Sequence, residues 1–359
     1  MNKIKQLIFK VIPGSWVGRL KLLRNSIKTS MFGLLSKSAR LSALYFSVFS
    51  NAFINEQQAT MYGIYSYYKN FRSKPGVRYL LRRNIHRLEK GLLMKPRHDV
   101  FAVDYITETL DCYEQEIQSC KDIEEPILNE LAWAHDVQKE YFNTVAPHSI
   151  IDKARDRFEK LPPFTIENNC TPYKRDLQPK SPVDYDDLLA LSRRRKSVRW
   201  YLQKKVPRDL LDKAITIASY SPSGCNRQPY EFRIYDDSDL IQKVSSLPDG
   251  TSGFYQNFPA IVVVVGELKA YYNEQDRHLI YIDSSLAAMS FMYALETLGL
   301  SSCGINWHDS GNRARKMSKL LGLKPDERVV MLISVGYPDP DGMVAYSQKK
   351  GLDLLRRFN

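Results

Sequence analysis

An unbroken β-branched run, Ile261-Val262-Val263-Val264-Val265, limits this chain more than any other feature. A strand of this composition has no polar face to give to water, so it must be covered on both sides. The sequence around it alternates between helix and strand signals. Residues 184–196 and 207–220 read as helices, the second with Pro207 in its first turn,. Residues 230–235 and 260–266 read as strands. Residues 278–298 form a long apolar helix stopped by Gly299, which suits a left-handed C-terminal cap,. A short strand near 302–306, a helix near 311–321 and a strand at 328–336 complete the region. No glycine-rich GxGxxG follows the first strand, which argues against a dinucleotide-binding Rossmann unit.

Upstream the pattern is helical. Leu81, Ile85, Leu88 and Leu92 recur at four- and three-residue steps on one helical face,. Residues 103–145 continue in the same mixed apolar and acidic style. The proline-bracketed stretch 161–182 reads as a linker,. Three regions follow: a basic helical leader over 1–71, a helical region with its linker over 72–183, and the strand-containing region over 184–359.

Charge is concentrated in the leader. Residues 1–55 hold nine Lys or Arg and no Asp or Glu, so most of the net +12 sits there. Its longest apolar run, 41–54, is interrupted by Ser42, Ser47, Ser50 and Asn51 and falls short of the roughly 20 residues that cross a bilayer,. Three readings stay open: a solvated helix packed on the body, peripheral contact of 1–55 with an anionic membrane surface, and a targeting leader. Scattered basic residues without aromatic interleaving argue against nucleic acid as a partner. The five cysteines form no CxxC pair and the six histidines no HxxxH or HExxH, so no metal site is expected and a reducing, cytoplasmic setting fits best,.

Three segments carry candidate chemistry. In 194–201 (RRKSVRWY), Arg195, Ser197 and Arg199 alternate, so in an extended tail they share one side,. Two guanidinium forks and a hydroxyl suit a phosphate dianion, although a solvated basic helix end would look the same. In 221–232 (SPSGCNRQPYEF), small residues and two prolines make a stiff loop, and Asn226 and Gln228 offer amides that donate and accept,. That loop could equally be an ordinary turn into a strand. In 298–309 (LGLSSCGINWHD), Gly299 and Gly304 permit close backbone approach, or mark a helix cap before a core strand.

Taken in order, Arg195-Lys196-Ser197-Val198-Arg199, Ser221 through Tyr230, Leu298-Gly299-Leu300 and the closing Val335-Gly336-Tyr337-Pro338 with Lys349-Lys350 resemble the nitroreductase family over about 184–359. The resemblance implies an α+β fold: a mixed, largely antiparallel sheet flanked by helices, here preceded by a mainly helical N-terminal region. It implies a homodimeric FMN flavoprotein. Arg195, Ser197, Arg199 and Lys349 or Lys350 would meet the phosphate and ribityl chain. Pro222, Ser223, Asn226 and Gln228 would lie against the isoalloxazine, and the backbone at Cys303 and Gly304 would face N5. Gly253 and Asn257 are candidates for a further ring contact, and Tyr230 stands where Trp is more usual.

The implied activity is an oxidoreductase that takes electrons from NAD(P)H in a ping-pong cycle and reduces a small nitro, quinone-like or unsaturated substrate. The alternatives are a biosynthetic flavin-dependent dehydrogenase or oxidase, and a non-catalytic membrane-surface scaffold. Residues 82–93 (RRNIHRLEKGLL) resemble a segment of longer nitroreductase-like proteins. His86 would then be a proton donor over the cavity, although a charge-laced surface helix reads the same way.

Overall fold

The computed structural model describes residues 14–359 apart from 51, 73–76, 120–124, 165–168, 176–178 and 310. Lys3, Lys5 and Lys10 of the basic leader and Cys120 lie outside the described residues. The chain divides into two compact units, 1–58 and 59–359.

In the first unit, α1 (Gly14–Leu35) is followed by α2 (Ala39–Val48), which starts at Ser38, whose hydroxyl accepts the Leu41 N–H. Side-chain capping of this kind satisfies one of the donors every helix start leaves open. α3 (Ile54–Arg72) runs from this unit into the second. No helix of the described residues is long and apolar enough to cross a membrane.

The second unit continues with α4 (Val77–Leu92), α5 (Ile106–Ser119), α6 (Glu125–Thr144) and α7 (Ser149–Phe158). Leu81, Ile85 and Leu88 are buried together with Ile106, Leu110, Tyr113, Leu131 and Tyr141, and Leu92 packs on their margin. The expected apolar face of α4 is therefore the seam of a helical core.

The sheet part holds α8 (Tyr185–Arg194), α9 (Arg208–Ser219), β1 (Tyr230–Tyr235), α10 (Ser238–Ser245), β2 (Ala260–Glu267), α11 (Leu279–Thr297), β3 (Ser301–Asn306), α12 (Gly311–Leu321), β4 (Glu327–Gly336) and α13 (Leu352–Leu355). The four strands run antiparallel in the order β1-β2-β4-β3. β2 is central, and its side chains alternate between two cores. Val262 and Val264 pack with Leu211 and Ala214 of α9 and Ala287, Phe291 and Leu295 of α11. Ile261, Val263 and Val265 pack with Ile241 and Val244 of α10 and Ala314 and Met317 of α12. Helices on both faces explain why this strand carries no polar side.

The fold is α+β, as the sequence implied, with a parallel bridge from Ser197 to Ser302 on the open edge of β3 as the mixed element. Boundaries shift slightly. Pro207 is the cap of α9 and not its first residue, and Gly299 (φ +75°) ends the long helix. The short helix α10 had no counterpart in the sequence reading.

α3 meets the sheet part at Gly63. A Cβ there would stand 2.7 Å from the Leu268 Cβ and 2.8 Å from its carbonyl carbon. Backbone cannot yield as a side chain can, so Gly63→Ala should destabilise the chain by about 1–3 kcal/mol. Urea midpoints would register the change, and an unaltered midpoint would mean that the two segments separate freely.

Candidate functional site

α8 begins with a reciprocal cap in which the Asp184 carboxylate accepts the Asp187 N–H and Asp187 returns the contact,. The helix ends at Arg194. Arg195 turns the chain outward (ψ 115°), and the next residues run along the edge of β3. There the Val198 N–H donates to the Ser302 carbonyl at 3.1 Å. Asn257 clamps the segment from the other side, accepting the Tyr201 N–H at 3.0 Å and donating to the Arg199 carbonyl at 2.9 Å. The Tyr201 hydroxyl lies 2.8 Å from the Ser334 Oγ, inside the core. Asn257, a sequence candidate for ring contact, thus serves as a backbone clamp.

The clamped segment lines a cleft of about 400 Å³. Arg195, Lys196, Ser197, Arg199 and Lys349 all contribute to its wall, and no acidic residue does. Ser347, in a left-handed conformation (φ +51°), turns the C-terminal tail so that Lys349 reaches the cleft. Lys350 is not among the lining residues. Five cations (Arg193 besides Arg195, Lys196, Arg199 and Lys349) converging with serines and without a carboxylate form a site for a dianion, and guanidinium forks match phosphate geometry,. This donor set fits the phosphate end of FMN.

The bridge between Ser197 and Ser302 brings the first and third sequence segments together. Cys303 is buried beside Ser197, and burial pushes its thiol pKa up despite the nearby Arg199. Gly304 is exposed on the same strand, and a Cβ there would meet nothing nearer than Met292 Sδ at 3.9 Å. The approach to this backbone is open.

The second segment is built elsewhere in the chain, and Pro222, Ser223, Asn226 and Gln228 do not line the cleft. Cys225, Asn226 and Gln228 all have positive φ (54°, 50° and 49°), conformations that cost a non-glycine residue about 1 kcal/mol or more each,. Specific bonds hold them there. Gly224 N–H donates to Asp283 Oδ2 of α11 at 2.9 Å, and Gln228 N–H donates to Ser223 Oγ at 3.0 Å. Arg82 of α4 donates from Nε to the Asn226 carbonyl at 2.8 Å and from Nη2 to Gln228 Oε1 at 2.9 Å. The Gln228 amide also donates to the Ser219 carbonyl at 2.7 Å, so both its ends are engaged within the chain. Arg227 beneath the loop is buried against Asp276 and the Tyr271 ring.

His86 is not part of the cleft wall. Its Nδ1 lies 3.4 Å from Glu89, which also accepts the Trp133 indole N–H. α4 reaches the 221–232 loop through Arg82 instead. The sequence showed Arg82 only as one charge among several. Asp283 had a clearer signal, being one of two acids in the apolar helix 279–297.

Burial raises the Asp283 carboxyl above the ordinary aspartate range, while the Gly224 N–H and the Tyr271 hydroxyl act against that rise. A raised folded pKa means that the folded chain holds a proton the unfolded chain releases. The resulting stability is present below the unfolded pKa and is lost as pH rises through the folded one. Asp283→Asn removes this dependence and keeps an acceptor for Gly224. Wild type should therefore lose stability relative to the variant as pH climbs above the normal aspartate range. Parallel pH profiles of the urea midpoints would contradict this.

Residues 192–249 and 242–337 match the model of the Nitroreductase family. This part of the chain is similar to nitroreductase-family domains. Among curated relatives, iodotyrosine deiodinase 1 of Pongo abelii is 24% identical over 193 residues, 46% of this chain and 66% of that protein. The chain thus spans just under two thirds of that relative's length. An iodotyrosine deiodinase of Thermotoga neapolitana is 29% identical over 177 residues, covering 42% of this chain and 89% of the relative. Among solved structures, an FMN-dependent nitroreductase from Clostridium difficile R20291 aligns with 24% identity and a TM-score of 0.39 over 44% of this chain and 92% of its own.

Proposed function

We propose that this chain is an FMN-dependent oxidoreductase that takes reducing equivalents from NAD(P)H and passes them to a small organic acceptor in a ping-pong cycle. The observation that carries the reading is the acid-free cleft, in which Arg195, Lys196, Ser197, Arg199 and Lys349 converge on a segment bridged to β3 at Ser302. Arg195, Lys196, Ser197 and Arg199 lie within the nitroreductase-family match, which supports the choice of cofactor. FMN, when bound, supplies the hydride chemistry.

The protein's own residues have separate tasks. Arg195, Arg199 and Lys349 hold the phosphate, and the surplus of cations favours an added negative charge near the site. Ser197 and the β3 edge at Cys303–Gly304 would meet the flavin on the sheet side. The loop 222–228 supplies a rigid wall. Because that loop does not line the cleft of its own chain, we assign it to the site of a second copy, which makes the functional unit a homodimer.

One cavity serves donor and acceptor in turn, so no separate nicotinamide-binding domain is required. The acceptor panel runs from nitroarenes and quinones to unsaturated carbonyl compounds. The deiodinase relatives add iodinated aromatics to it, through reductive loss of iodide. Steady-state rates with NADH or NADPH varied against each acceptor test the reading. Parallel double-reciprocal lines with one acceptor class are expected. A flavin-loaded protein that turns over none of them would favour the scaffold reading.

A further inference from the structure

The first unit carries an apolar surface that the redox reading does not use. Along α1, Leu20, Leu23, Ile27, Met31 and Leu34 recur at three- and four-residue steps, which puts them on one stripe,. Each is between 39% and 63% exposed. α2 has no buried residue, and Leu41, Leu44 and Val48 form a second exposed row at helical spacing. The two helices are tied on another side, where Phe32 meets the Tyr45 ring edge-on at 5.6 Å and the Ser42 hydroxyl donates to the Leu35 carbonyl at 2.9 Å. Neither apolar row is consumed by that contact.

The charges around the stripe are of one sign. By helical spacing Arg19 borders it on one side, and Arg24 and Lys28 border it on the other,. Lys37 and Arg40 follow in the turn and at the start of α2, and the first acidic residue of the chain is Glu56. A second copy is a poor occupant. Pairing the stripe with itself would bring Arg19, Arg24 and Lys28 of both copies together, with no carboxylate in 1–55 to neutralise them,. An anionic lipid surface satisfies both features at once, because apolar side chains enter the acyl boundary and the cations stay at the headgroup phosphates.

We propose that α1 and α2 form a peripheral docking surface for anionic phospholipid. The helices lie in the plane of the interface and do not cross it, in keeping with the polarity of α1 and the ten-residue length of α2,. The surface is independent of the flavin reading: docking holds the chain at a membrane whatever its acceptor is.

The test is flotation of the full chain with phosphatidylcholine vesicles, with and without phosphatidylglycerol. Binding is expected only to the anionic vesicles and should weaken as salt is raised. Arg24→Ala with Lys28→Ala should lower partitioning about thirtyfold, and Leu23→Asn with Ile27→Asn should abolish it. Equal binding to neutral vesicles, or none to anionic ones, would overturn the proposal. So would a fall in sedimenting mass of the Leu23→Asn, Ile27→Asn protein without vesicles, which would assign the stripe to a second copy. The salt dependence of the unaltered chain needs no variant, so a misfolded mutant does not remove the test.

Discussion

Arg195→Ala is expected to weaken FMN binding by about tenfold to a hundredfold. Charge-assisted hydrogen bonds contribute roughly 1.5–3 kcal/mol each, and a shift of about 1.4 kcal/mol is tenfold in affinity. Arg195 occupies the C-terminal cap of α8, where its backbone N–H donates to Leu191, and its side chain lines the cleft. The change should leave the fold intact, because α8 has no buried residue and is anchored by its own cap at Asp184. Arg193, Lys196, Arg199 and Lys349 remain, so binding should weaken and grow more salt-sensitive without vanishing. Fluorescence titration of FMN with the flavin-free protein measures this directly, and an unchanged dissociation constant would remove Arg195 from the site. Co-expression with an Asn226→Ala chain extends the experiment. Mixed dimers should regain part of the bound flavin if each site takes one wall from each copy.

Arg82→Ala is expected to give the second large effect, through the loop. One guanidinium donates to the Asn226 carbonyl and the Gln228 side chain, pairs with Glu130 at 2.5 Å and lies over the Trp133 ring at 5.4 Å. Its side chain is only 11% exposed. The residues it holds are in left-handed conformations that relax once released,. Loss of the clamp should cost about 2–4 kcal/mol of stability and loosen the flavin. Arg82→Lys should not restore it, since one ammonium cannot present a planar fork to three acceptors. Hydrogen exchange over 222–229 should rise in both variants. Protection equal to that of the parent chain would mean that the loop conformation is set by Asp283 and Ser223 alone.

What the sequence made legible divides along physical lines. β2 was legible because five consecutive β-branched residues admit no exposed face, and both cores that cover it are present. Arg195, Ser197 and Arg199 were legible because alternation in an extended segment puts side chains on one side, and all three reach one cleft. α10 was missed because eight residues hold little more than two turns, too short for a period to emerge. The choice between Lys349 and Lys350 depended on the turn at Ser347, a conformation no local pattern announces. Arg82 could not be singled out because its acceptors lie 144 and 146 residues away. His86 looked chemically richer on the same helix, yet its imidazole neighbours Glu89 and not the cleft. Residue type nominates chemistry, whereas long-range contact decides which candidate can act.

The central claim is that the cleft holds FMN and that NAD(P)H reduces it there. An absorbance spectrum of the purified full chain, followed without oxygen as NADPH or NADH is added, tests it most directly. The account predicts an oxidised flavin spectrum that bleaches on addition of the nicotinamide and returns when an acceptor is admitted, with both changes weakened by Arg195→Ala. A protein that neither carries nor takes up FMN, or whose bound flavin stays oxidised with both nicotinamides, would contradict it.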